Sequence, residues 1–426
     1  MEKYDKYIKT NVEFLDEIPE NWIEKRMRFV GYLYGGLSGK SADDFNKAGD
    51  ENNKYFIPFT NIANNLVIDP NNLQTVIIKK DEKQNKVQNG DLFFLMSSEN
   101  YDDVGKSAVL CNELPETYLN SFCKGFRITQ DYIDSKFLNY QLHSKQHRHN
   151  LLIGANGFTR INLKIDKVKD LFIALPPTPE EQTAIANYLD RKTAQIDELI
   201  ADKKRLLELY EEEKTAIINQ AATKGINPDV KLKDSGIEWL GEIPEHWEVK
   251  KLRYLCKITT GGKDTENRED DGEFPFFVRS QTVEKISTYS YDGEAILTAG
   301  DGVGVCKVWH HIIGKFDFHQ RVYMMYDFDG ISGSYLFHYM KENFIHDVLK
   351  KSAKSTVDSL RRPMFLEFSV TFPKREAEQK EIVKYIENEI ARIDTKVEKT
   401  KKLIDLLTEY RTALISEVVT GKIKVI

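Results

Sequence analysis

Gly35–Gly36–Leu37–Ser38–Gly39–Lys40–Ser41 has the composition of a phosphate-cradling loop. Three residues separate Gly35 from Gly39, however, where that motif needs four, and Tyr34 stands where the missing glycine would be. Gly105–Lys106–Ser107 fails in the same way, with Asn100 at that place. No G-x-G-x-x-G opens a helix, and no Asn-Pro-Pro-aromatic segment of the kind that positions a target amine is present; Asn227–Pro228–Asp229 reads as a linker turn. His143, His147 and His149 cluster with Lys145 and Arg148 on a predicted helix. A metal site would want a fixed acidic partner and a second shell, and none is evident, so the cluster reads as a solvated or nucleic-acid-facing basic patch. Cys111, Cys123, Cys256 and Cys306 form no CxxC pair and read as reduced, structural thiols. No catalytic residue and no metal site is expected.

A different chemistry remains open. Arg, Lys, Asn, Gln and Ser on loops can read base edges when phosphate anchors surround them. In a first globular segment, 22–174, the candidates are Ser97, Ser98, Lys106, Arg127, Arg160 and Asn162. In a second, 247–371, they are Arg279, Gln281, Gln320, Arg321, Lys354, Ser355, Arg361 and Arg362. Taken singly, each reads first as a solvated surface residue.

The elements that must position these side chains are more legible. From Glu180 no proline or glycine appears until Gly225, and apolar residues recur at helical spacing, among them Ile185, Leu189, Ile196, Ile200, Leu207 and Tyr210. The spacing predicts an amphipathic helix of about 44 residues, roughly 65 Å long. Residues 372–423 repeat it at a constant offset of 197, placing Ile382, Ile386, Ile393, Val397, Ile404 and Leu407 on the matching positions. Glu181–Gln182 recurs as Glu378–Gln379. Upstream, 10–28 matches 235–253 at offset 225, with Glu13, Leu15, Glu17, Ile18, Pro19, Glu20, Trp22 and Arg28 identical in both copies.

The order is thus a frame segment (1–21), a globular segment (22–174), a helix (175–226), a linker (227–246), a second globular segment (247–371) and a second helix (372–426). Short strand-like runs at Thr75–Ile78, Leu92–Met96, Ala108–Leu110 and Arg321–Met325, with helices over Phe137–Gln146 and Tyr335–Lys350, make each globular segment mixed α+β. Faint matches join Phe56–Ile57–Pro58–Phe59 to Phe274–Pro275–Phe276–Phe277, and Gly90–Asp91 to Gly300–Asp301.

With 41% hydrophobic and 11% aromatic residues the chain can bury real cores. No apolar run or leader core suggests a membrane or export, so a cytoplasmic protein is expected. Residues 180–220 hold 10 acidic and 6 basic side chains and residues 376–420 hold 10 and 8, which accounts for the whole net charge of −6. The remainder is neutral, so only local basic faces are available to a polyanion.

The doubled E-I-P-E-x-W entry, Leu175–Gln182 (L-P-P-x-x-x-E-Q), Ile196–Asp197 and the stretch Gly36–Phe45 resemble the specificity subunits of Type I restriction-modification enzymes. Phe372–Pro373–Lys374–Arg375 departs from the pattern at the second turn. The resemblance covers the whole chain and is loose inside the globular segments. It implies two target-recognition domains joined by two long antiparallel coiled-coil helices in a pseudo-twofold internal repeat, the domains at opposite ends. Each domain would bind one half of a bipartite double-stranded DNA target. The helices would space the half-sites and dock two methyltransferase subunits, through which restriction subunits join. It also implies no catalysis and no cofactor on this chain, with S-adenosylmethionine, ATP and Mg on the partners. Two other readings remain: the recognition chain of another two-part restriction system, and a coiled-coil scaffold that binds no DNA.

Overall fold

Pro179 opens the first long helix, where its missing N–H is no loss, and Glu180 and Glu181 answer the positive end of the helix. The helix runs Pro179–Lys224 and ends on Gly225 at φ 78°. The second runs Glu376–Val419, with Glu376 and Glu378 in its first turn. In this computed structural model, residues 2–12, 14–47, 51–153, 155–157, 160–351 and 359–425 are described. Two units result, Met1–Asp202 with Leu403–Ile426 and Lys203–Lys402, so each unit owns half of each long helix. No helix among the described residues is long and apolar enough to cross a membrane.

Neither helix can bury its stripe alone, and in each unit the two halves share one core. In the first unit Ile185, Leu189 and Ile196 pack in a cluster with Leu414, Ile415 and Val418, and Arg411 forks onto Asp197 at 2.8 and 3.1 Å. In the second, Ile218 and Ala222 share a core with Ile382 and Ile386, while Lys214 meets Asp394 at 2.7 Å and Arg392 meets Glu213 at 2.9 Å. Within each unit numbering rises along one helix as it falls along the other, so the halves pack antiparallel. Of the twelve stripe positions, Ile185, Leu189, Ile196, Ile382, Ile386 and Ile393 are buried, and Ile200, Leu207, Tyr210, Val397, Ile404 and Leu407 are half-buried. Lys401 and Lys402, close to the middle of the second helix, are exposed.

Each unit also holds an antiparallel run of four strands in the same order, which in the second unit is part of a six-stranded sheet. In the first it is Gly31–Gly35, Cys123–Ile128, Leu92–Leu95, Ser107–Val109. In the second it is Lys257–Thr260, Val322–Tyr326, Tyr291–Ala299, Trp309–Phe318. A parallel pair follows in both, Asn53–Ile57 with Thr117–Leu119 and Phe274–Phe277 with the end of Trp309–Phe318.

The matched residues of the sequence turn out to be fasteners. Gln182 is fully buried; its Oε1 accepts from Asp134 N–H at 2.9 Å and its Nε2 donates to the Pro176 and Tyr132 carbonyls. Gln379 makes the same set with Ser332 N–H at 2.7 Å and the Pro373 and Gly330 carbonyls. Trp22 meets Phe137 edge-on at 6.1 Å, and Trp247 meets Tyr335 at 6.3 Å. Arg28 pairs with Asp170, and Arg253 with Glu367.

Three expectations change. The helix expected at Phe137–Gln146 is two helices, Ser135–Leu142 and Lys145–Ile153, because the Ser144 hydroxyl turns onto His147 and starts a new one. Gly90–Asp91 precedes its strand whereas Gly300–Asp301 follows one, so these turns do not correspond. Ile57, not Pro58 or Phe59, is the counterpart of Phe277, since their carbonyls accept from equivalent turn residues Asn120 and His319; the aligned tetrapeptides were two residues out of register. Glu13 lies outside the described residues.

Replacing Gln182 or Gln379 by Ala orphans a buried N–H and two carbonyls, so each variant should lose about 1–3 kcal/mol of stability. Denaturant unfolding that shows the loss for neither variant would mean that water satisfies these groups.

Candidate nucleic-acid interface

One end of each four-strand run carries the irregular chain. Leu119–Cys123 and Phe318–Val322 make the same turn there: Asn120 Oδ1 accepts from Phe122 N–H at 2.9 Å, and His319 Nδ1 accepts from Arg321 N–H at 2.9 Å. A glycine must pass each turn, because a Cβ on Gly36 would lie 2.1 Å from the Asn120 carbonyl oxygen and one on Gly261 2.0 Å from that of Phe318. Short capping boxes follow, Ser41 with Asp44 and Asp264 with Asn267. Beside the turns, Leu163 N–H reaches the Met96 carbonyl at 2.8 Å and Leu360 N–H the Gly300 carbonyl at 2.7 Å. The frame thus fixes equivalent loops, and the side chains upon them differ.

In the second unit Arg279, Gln281, Gln320, Arg321 and Arg361 all sit on these loops and are exposed. Arg279 Nη1 donates to Asp301 Oδ1 at 2.9 Å and Arg321 Nη1 to Asp301 Oδ2 at 2.7 Å. Burial pushes the Asp301 carboxyl up, but the two guanidiniums outweigh it and hold it below the usual range. Gln320 Nε2 donates to Asp264 Oδ2 at 2.6 Å, and Gln281 Nε2 reaches the Trp309 carbonyl at 3.5 Å. Arg362 begins the short helix after Arg361. Lys354 and Ser355 lie outside the described residues.

In the first unit Ser97, Ser98, Arg160 and Asn162 come together: Ser97 faces Asn162 and Ser98 faces Ile161 across paired strands. Asn162 is exposed and donates to the Arg160 carbonyl at 3.1 Å. The Arg160 guanidinium lies 4.7 Å from the ring centre of Phe122, an exposed aromatic that composition had not singled out. Ser97 Oγ is buried without a hydrogen-bond partner, and Ser98 Oγ accepts from Asn100 N–H at 3.1 Å. Lys106 lies at the foot of the same loop, tied to Asp103 at 2.7 Å. Asp301 and the capping boxes were missed as well; the three-residue spacing of acceptors after each glycine pair was the signal.

Arg127 does not join them. It sits at the opposite end of its strand, forked onto the buried Asp91 at 2.9 and 2.7 Å with Tyr34 beneath it. Its Nε and Nη2 go to Asp91 and the Lys86 carbonyl inside the unit, which gives it a structural role away from the loops. Lys40 of the failed phosphate loop is likewise buried, on Glu82 and the Ile77 carbonyl.

The histidine cluster also corrects. His147 is buried, bonded to Ser144 and to the Phe172 carbonyl at 3.0 Å, and His143 Nε2 lies 2.6 Å from the Ser107 carbonyl. Arg148 donates to the Val104 and Asp102 carbonyls at 2.8 Å each. The segment therefore braces the core and the 97–106 loop; only Lys145 and His149 are exposed. Among the described residues no His/Cys/Asp/Glu group could hold a metal.

Burial pushes both imidazoles down to about 4. The unfolded chain protonates near 6.5 and the folded one only near 4, so on acidification the unfolded state gains protons first. Stability should be full above about pH 6.5, fall as pH drops toward 4, and change no further from these groups below that. Denaturant midpoints against pH should show a shallower fall in His147→Gln than in the wild type.

A family model described as the Type I restriction modification DNA specificity domain matches residues 36–209 and again 244–405. The specificity subunit of the Type I restriction enzyme EcoDI of Escherichia coli is 26% identical over 183 residues, 43% of this chain and 40% of that protein. The chain thus matches well under two thirds of that relative's length. The MjaVIII specificity subunit of Methanocaldococcus jannaschii is 22% identical over 443 residues, covering 96% of this chain and 94% of that one. A chain from work on complex assembly and conformational transition of the type I R-M system superposes with TM-score 0.72 at 14% identity, over 95% of this chain and 99% of that one. The HsdS subunit from Thermoanaerobacter tengcongensis gives 0.57 at 13%, over 97% and 100%. At those identities the structural likeness is one of fold.

Proposed function

We infer the function from one premise: the chain belongs to the Type I restriction modification DNA specificity family. In this reading it is the non-catalytic recognition subunit of a cytoplasmic restriction-modification complex, and it binds a bipartite double-stranded DNA target. The observation that carries the reading is a frame built twice, down to the bonds of Gln182 and Gln379, around equivalent loops with unlike polar side chains. A single reader would need one such frame. Two frames with different loops suit two different half-sites, one per unit.

Apolar side chains left exposed on the long helices, including Leu199, Leu209, Leu403, Leu406 and Tyr410, support docking of two methyltransferase subunits, with restriction subunits joining through those. Ile218, by contrast, is buried in its own unit. S-adenosylmethionine, ATP and Mg belong on the partners in this reading.

Exchanging residues 22–174 for the corresponding domain of another family member should change one half-site and leave the other intact in the methylome of a host carrying the whole system. Alteration of both halves would show that the two readers are not independent.

The helices have a separate test. Seven residues inserted after Lys204 and after Lys401 preserve the apolar stripe approximately and add roughly 10 Å. The gap in the methylated target should widen by up to about three base pairs, with both half-sites unchanged. An unaltered gap would leave the helices as docking surfaces only.

A further inference from the structure

We propose that Asp301 is a positioning residue which aims Arg279 and Arg321 at the major-groove edge of a guanine in the half-site read by the second unit. The inference rests on the function proposed above and names the chemistry of one of its sites.

The cluster is poorly placed to be a stability device. The side chains of Arg279 and Arg321 are 41% and 59% exposed, and ion pairs so open to water contribute little to stability. It is well placed to set direction. Asp301 is extended between two anchored neighbours: Gly300, whose N–H donates to the Arg321 carbonyl at 2.8 Å and whose carbonyl accepts from Leu360 N–H at 2.7 Å, and Gly302, whose carbonyl accepts from Val305 N–H at 3.2 Å. Its own backbone bridges Ser359. The carboxylate origin is therefore fixed, and it takes one Nη1 from each arginine. Each guanidinium has five N–H donors, so the rest of each fork remains available.

Charge decides between phosphate and base. A phosphate anchor gains from uncompensated positive charge, whereas Asp301 cancels one of the two charges and would repel a phosphate at the same spot. A base edge gains instead from donors held in a fixed plane. Guanine presents two adjacent acceptors, O6 and N7, which the arginine fork matches.

The clamp is also absent from the frame. The first-unit counterpart of Asp301 is Ser97, and that of Arg321 is Phe122, as the matched bonds of their neighbours place them. Residues that differ between two otherwise matched turns are where two different half-sites would be told apart.

The test uses the full chain with its cognate methyltransferase subunits and a duplex carrying the methylated target found by methylome sequencing. Each guanine of the second half-site is replaced in turn, and binding is measured across a salt series for wild type, Arg279→Ala, Arg321→Ala, Asp301→Ala and Asp301→Asn. Thermal melts confirm that each variant is folded. The wild type should reject replacement of one guanine by about 10- to 100-fold, and Asp301→Ala should lose that preference while binding non-target duplex as well as the wild type or better. A merely structural Asp301 would lower binding to every duplex alike. If the wild type discriminates and Asp301→Ala discriminates equally, or if Asp301→Ala only weakens binding uniformly, the clamp is wrong while the function stands. A wild-type complex with no sequence preference overturns the function and the clamp with it.

Discussion

The rest of each unit depends on one buried carboxamide at the start of a long helix. Gln182 and Gln379 sit in the first turns of helices that account for the whole net charge, yet both are fully buried. Each accepts from the backbone at the head of a domain helix and donates to the proline carbonyl just before its own helix. Three elements are thus held in one orientation by a side chain that cannot be hydrated. Apolar packing alone would tolerate sliding; a set of directed bonds in a dry site does not, because any shift leaves a buried donor or acceptor unpaired. The aromatic contacts of Trp22 and Trp247 then fill the same corner.

The second constraint is met by different chemistry in the two units. The junction between the domain strand and the end of a long helix leaves two carbonyls facing a gap. In the first unit they belong to Ala174 and Val419, and Gln141 donates to both at 2.6 and 3.0 Å. In the second they belong to Thr371 and Ala222, and the Tyr335 hydroxyl lies 3.0 and 2.7 Å from them. Under the 197-residue offset these are the same carbonyl pair. The two donors come from different turns of their helices, so no alignment of the sequence would match them. The backbone requirement persists while the residue that satisfies it changes.

That distinction explains what was legible in the sequence. The long helices could be read because an apolar stripe over more than forty residues has no other account, and the doubled Gln stands out because its carboxamide both accepts and donates in one buried site, while Trp22 and Trp247 fill the matching corner with an aromatic contact. The frame reaches further than identity suggested: Leu163 and Leu360, Val168 and Phe365, Leu171 and Phe368 occupy equivalent buried positions despite few shared side chains. Core positions need only volume and apolarity, so they leave little trace in the residue names. The candidate readers were the least legible. Arg127 and Arg321 look alike in a sequence, since an arginine near a strand says nothing of which strand end it occupies. Only the register of Cys123–Ile128 against Leu92–Leu95 places Arg127 beside Asp91, away from the loops. The histidines misled for a related reason: a cluster of His with Lys and Arg has the composition of a wet surface, but His143 and Arg148 spend their polar atoms on backbone carbonyls.

The turns at the sheet ends show how such a frame can vary its readers without unfolding. Asn120 and His319 differ in shape and charge capacity, yet each offers one acceptor to the N–H two residues on. The backbone also closes each turn, Cys123 N–H onto the Asn120 carbonyl and Val322 N–H onto that of His319. Once the main chain is satisfied by main chain and by one interchangeable acceptor, the intervening side chains contribute little to stability. Ser121–Phe122 and Gln320–Arg321 are therefore released from structural duty, and an aromatic can replace a guanidinium at the same place. A surface whose backbone is fixed and whose side chains are energetically idle is what sequence recognition requires, because affinity for a particular base pair can then change without a compensating change in the fold.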